Sequence, residues 1–170
     1  EINEDDDWDY SVSEVCRLAE LTYDMAAQLL DENTVQEAVA MYCRKKGQLD
    51  SWFGDLPNNG CHLLLVHAHL DVKNAVALYM DGITEIQRSV KSDMNHLRAM
   101  LIANDFNVAA TMDQVREGHV ENFAIMHLTD ARNSRNYLVR NSWNMTSANV
   151  EYMLHNGEVA SMPMPTETCT

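Results

Sequence analysis

The sequence predicts an α/β domain with a mixed sheet flanked by helices, and two patterns carry that expectation. Short apolar runs of strand length, at 62–68, 123–128 and 150–154, alternate with longer segments whose apolar residues recur every three to four positions. Turn-forming clusters, Asp55-Leu-Pro-Asn-Asn-Gly60 and Asp81-Gly82, separate them. Helices between strands pack as layers, which is the α/β arrangement.

The elements follow in order. Residues 1–10 read as an acidic tail because Glu4-Asp5-Asp6-Asp7 is a run of like charges. Within 11–32, Val15, Leu18, Ala19, Ala26, Leu29 and Leu30 form one helical stripe, with Ser11 or Ser13 as cap. Residues 34–50 repeat that spacing with Val35, Ala38, Val39, Tyr42 and Cys43. His62-Leu-Leu-Leu-Val-His-Ala reads as a buried strand. Ser92 caps a helix carrying Met94, Leu97 and Leu101. Phe123–Leu128 and Val150–Leu154 complete the expected sheet, with a short helix at Tyr137-Leu-Val between them. Residues 11–160 form a single domain, 161–170 a C-terminal tail, and no internal repeat is evident.

Composition excludes some partners. A net charge of −14 repels nucleic acid and anionic membrane surfaces. No run of about 18 apolar residues is long enough to span a bilayer, and no basic-then-apolar leader opens the sequence. Cys16, Cys43, Cys61 and Cys169 lack CxxC spacing. They read as free thiols, which favours a reducing compartment such as the cytoplasm. Lys45-Lys46 reads as a small solvated basic patch, and the eleven methionines mainly as core filler.

The chemistry-bearing segment is His62 to Asp71. On an extended strand His67, His69 and Asp71 share a face, and imidazole with an adjacent carboxylate is a common zinc-binding combination.

Four segments in order resemble the N-terminal part of the di-zinc peptidase and deacylase family that includes aminoacylase, acetylornithine deacetylase and the glutamate and vacuolar carboxypeptidases. They are Leu63-Leu-Leu…His69-Leu-Asp71-Val72, then Asp81-Gly82…Arg88…Asp93-Met94, then Phe123–Asp130, then Val150–Gly157. The resemblance implies a partial catalytic domain with zinc as cofactor. His69 would be a metal ligand, Asp93 the bridging ligand and Asp71 the residue orienting His69. It implies hydrolysis of a small peptide or N-acyl amino acid by a metal-bound water. Ala131 and Arg132 stand where that family has its glutamate pair, and Asn156 near a later carboxylate ligand, so the resemblance implies impaired catalysis. Tyr137–Trp143, with Asn141 and an upstream His119, is similar over seven residues to papain-like cysteine peptidases. A non-catalytic binding or scaffolding domain is the alternative of a different class.

Overall fold

The computed structural model describes residues 4–157, with side chains from Asp7 onward. Every regular element among the described residues is α-helical: α1 Glu4–Ala19, α2 Tyr23–Leu30, α3 Val35–Phe53, α4 Gly60–His67, α5 Val72–Ser89, α6 Met94–Ala103, α7 Val108–His127, α8 Ala131–Arg140 and α9 Met145–Gly157.

This overturns the α/β expectation. The run at 62–68 is α4, a short helix that is apolar almost all round because it packs against both α3 and α5. Cys61, His62, Leu64 and Leu65 are buried, and Leu63 and Val66 half-buried. A continuous apolar run cannot distinguish such a helix from a buried strand. Residues 123–127 end α7, where Phe123 is buried while Ile125 and Met126 are exposed, and 150–154 lie inside α9.

Three other expectations shift. The stripe at 11–32 is two helices, broken where Glu20 turns left-handed at φ 54°. Asp81-Gly82 is no turn but the middle of α5, where a side chain on Gly82 would meet Val108 and Leu101 of the next helix pair. Residues 4–10, expected as tail, belong to α1, and Asp93 rather than Ser92 caps α6. The expected tail at 161–170 lies outside the described residues.

The chain also repeats, contrary to the reading of its sequence. Three helix–turn–helix units, α4–α5, α6–α7 and α8–α9, share one turn. Its left-handed pair is His69-Leu70, Asp105-Phe106 and Ser142-Trp143 in succession, with φ between 50° and 62°. The backbone N–H of Leu70, Phe106 and Trp143 donates five residues back, to Leu65, Leu101 and Leu138, closing the helix end as in a Schellman turn. The next residue caps the following helix: Asp71, Asn107 and Asn144 accept from the backbone N–H three positions on. Those caps lie 36 and 37 residues apart.

Packing follows from this repetition. α1, α2 and α3 form an N-terminal bundle, after which the long helices α3, α5, α7 and α9 pack in a row with the short ones between them. Helices meet chiefly those one or two places away in the chain, the quasi-linear order of a repeat stack. The row is staggered. Phe53 near the end of α3 meets Tyr79 of α5 with ring centroids 4.7 Å apart. Phe123 near the end of α7 meets Tyr152 of α9 at 5.6 Å. One apolar core runs from Val12 to Val115, a smaller one gathers Val120, Phe123, Tyr137, Leu138 and Ala148, and Trp143 packs against both.

Candidate functional site

The residues expected to hold zinc are placed as helix-end residues. His69 sits in the α4–α5 turn with its ring exposed. Asp71 is the N-cap of α5 and accepts from Asn74 N at 2.8 Å. Asp93 is the N-cap of α6 and accepts from His96 N at 3.1 Å. His69 and Asp71 are thus neighbours at the start of α5. Asp93 follows its other end, and a helix of 18 residues, about 27 Å long, runs between them. A bridging metal needs its ligands about 2 Å from one ion, and this arrangement does not bring the three together. Among the described residues no group of three or more His, Cys, Asp or Glu side chains is arranged to hold a metal ion. The metal-binding and α/β parts of the expectation are therefore corrected. The Asp-containing motifs have a capping role instead, since an N-cap carboxylate satisfies a free helix N–H and complements the helix dipole.

The positions where the resemblance expects carboxylates fit the same pattern. Ala131 and Arg132 open α8 behind its Asp130 cap, and Asn156 donates to Tyr152 O on its own helix. The papain-like segment is the end of α8. Asn141 donates to Tyr137 O and to Glu151, while His119 faces the backbone of Trp143. Burial lowers the pKa of His119, which favours the neutral form of its imidazole. Cys61 donates to Phe53 O, and burial, then Asp50, push its thiol up to about 12. A thiolate is the nucleophile in cysteine chemistry, and this raised pKa disfavours the thiolate at Cys61.

One of the concave features among the described residues is a groove between α3 and α5. Met41, Arg44, Lys45, Gln48 and Trp52 recur at three- and four-residue spacing along one face of α3, with Phe53 beside them. Val72, Lys73, Val76 and Met80 do the same on α5. The two stripes enclose a continuous trough. Its apolar end is a space of about 500 Å³ walled by Trp52, Phe53, Val72, Val76 and Met80. Trp52 is 60 % and Met80 48 % exposed, so two large apolar side chains stand in solvent on opposite walls.

The other end of the groove is polar and about 410 Å³ in volume, sharing Val72 and Lys73 with the first. Arg44, Lys45 and Lys73 line it. Lys45 is not simply solvated, since its ammonium donates to Leu70 O at 2.8 Å and covers the end of the α4 turn. Asp71, the one acid here, has an oxygen occupied by its helix cap. In a chain with 12 cationic residues in all, three of them converge on this trough.

Sequence reasoning missed Trp52, Val76 and Met80. The signal was present as the 41/44/48/52 and 72/76/80 spacings, but a stripe ending in exposed residues looks like an ordinary helix face until a second stripe is set beside it. Comparison with protein families, with characterised proteins and with solved structures finds no match to this chain.

Proposed function

We propose that this chain is a non-catalytic binding module whose α3–α5 groove takes a helical segment of a partner protein carrying apolar anchors at one end and carboxylates at the other. The observation that carries the reading is the continuity of the apolar trough with the Arg44/Lys45/Lys73 end. Exposed Trp and Met side chains desolvate readily against apolar anchors, and Met adapts to their shape. The cations select a partner with acidic residues in register. From Met41 to Phe53 the α3 wall is about 18 Å long, which matches a partner helix of about three turns.

Two further features support binding over turnover. The most buried imidazoles, His62 and His119, are packed into the core rather than aimed into the groove. The repeat architecture gives extended surfaces of the kind on which such stacks bind partners.

The test is a titration of a fluorescein-labelled synthetic helix of about three turns, with Leu and Phe anchors and a glutamate-rich end, against the same helix with lysine for glutamate. The acidic helix should bind saturably and at least about tenfold more tightly than the lysine version, the ratio that about 1.4 kcal/mol of charge complementarity supplies. Lys73→Glu should erase that preference while leaving the fold intact. Equal affinity for both helices, or none for either, would contradict the proposal.

A further inference from the structure

Residues 158–170 follow α9 and lie outside the described residues, and their composition complements the α3–α5 groove. They carry Glu158 and Glu167 and no lysine or arginine. Arg44, Lys45 and Lys73 line the polar end of the groove. Between the two glutamates stand Val159, Met162 and Met164, and the other end of the groove is walled by apolar side chains, Trp52 and Met80 foremost. Resting on the groove reading above, we infer that residues 158–167 of one copy occupy the α3–α5 groove of a second copy and compete there with the partner helix.

The two surfaces match in spacing as well as in kind. Eight residues of α3 separate Arg44 from Trp52, about 12 Å along the helix. Three residues separate Met164 from Glu167, about 10 Å of extended chain. A methionine set against Trp52 therefore leaves Glu167 within reach of Arg44 and Lys73. Neither cation has an ion pair among the described residues. Methionine fills irregular apolar gaps, and its sulfur contacts aromatic rings favourably. Pro163 and Pro165 have no N–H to desolvate in an apolar site, and each reduces the backbone freedom that binding must freeze.

The groove of the same chain is out of reach. Met162 lies five residues past Gly157, so at most about 18 Å of chain joins them. α9 packs on α7, and α7 on α5. Packed helices lie about 8–10 Å apart, so crossing to the far side of α5 requires about 20–25 Å. The net charge of −14 opposes association only weakly, because the Debye length at physiological salt is about 8 Å. At the contact itself Glu167 meets three cations and one acid, Asp71, which is engaged in its helix cap.

Sedimentation velocity on the full chain across a range of concentration tests this, and the parent should self-associate. Met162→Asp with Met164→Asp, and separately Trp52→Ser, should each weaken association by at least about tenfold, with helical circular dichroism unchanged. Mixing these two variants should restore a one-to-one complex, since one keeps the groove and the other the tail. Leu154→Asp, on the exposed face of α9, should associate like the parent. The labelled acidic helix separates this inference from the groove reading. It should bind the Met162→Asp/Met164→Asp variant more tightly than the associated parent, because tails no longer occupy the groove. A parent monomeric at every concentration, association insensitive to the tail or Trp52 substitutions, or no recovery on mixing would each overturn this inference alone if the helix still binds. Helix binding to neither chain would overturn the groove reading and this inference with it.

Discussion

Replacing His69 by glycine separates a turn residue from a metal ligand in one experiment. His69 and Leu70 form the left-handed pair that closes α4, at φ 50° and 62°. A residue with a Cβ in that conformation costs about 1–2 kcal/mol, and glycine relieves the strain. Glycine also loses more chain entropy on folding, about 0.5–1 kcal/mol. His69 is exposed, so little packing is lost with the imidazole. The balance is a stabilisation of about 0.5–1 kcal/mol for His69→Gly. In a domain of this size that raises Tm by about 1–4 °C. Leu70→Gly relieves the same strain but empties a side chain only 2 % exposed, so it should destabilise by about 2 kcal/mol or more. Differential scanning calorimetry with and without added zinc measures both. A drop in Tm for His69→Gly, or a zinc-dependent rise present in the parent and lost in the variant, would refute the reasoning.

Other outcomes follow from the same packing. Gly60→Ala should destabilise by about 1–3 kcal/mol in urea unfolding, because its Cβ would sit 2.7 Å from Ile102 Cδ1 and 2.8 Å from Leu56 Cβ. Asp71→Ala should cost about 1 kcal/mol of stability through loss of the α5 cap, read from the same urea midpoints, with no metal-dependent component. Burial lowers the pKa of His62 and of His119 below 6.5. The unfolded chain therefore takes up protons first, and stability that is complete above pH 6.5 is progressively lost as pH falls below it. Tm measured between pH 7.5 and 5 should fall, and the double variant His62→Gln/His119→Gln should flatten that slope.

Part of this architecture was legible in the sequence. Helices near 12–31, 34–50 and 92–103 show one-sided apolar spacing because each has a solvated face, and the 55–60 turn is marked by Pro57, Asn58, Asn59 and Gly60. α4 was illegible because neighbours on more than one side make its residues apolar with no polar face to set the period. The repeat was hidden for a different reason. What recurs is a role, not a residue: Leu70, Phe106 and Trp143 each plug the turn, and Asp71, Asn107 and Asn144 each cap a helix. His69, Asp71 and Asp93 attracted a metal reading because carboxylates serve helix caps and metal sites equally well. Only the length of α5 between Asp71 and Asp93 separates the two uses. The groove needed two helix faces at once, and one stripe alone does not reveal the other.

The most direct test of groove binding is an amide chemical-shift titration of the full chain with the acidic amphipathic helix. Shifts confined to the α3–α5 trough, largest at Trp52, Phe53, Val72, Lys73, Val76 and Met80 and extending to Arg44, are the predicted result. Shifts centred on α8–α9 or on the α1–α2 end, with the trough silent, would contradict it.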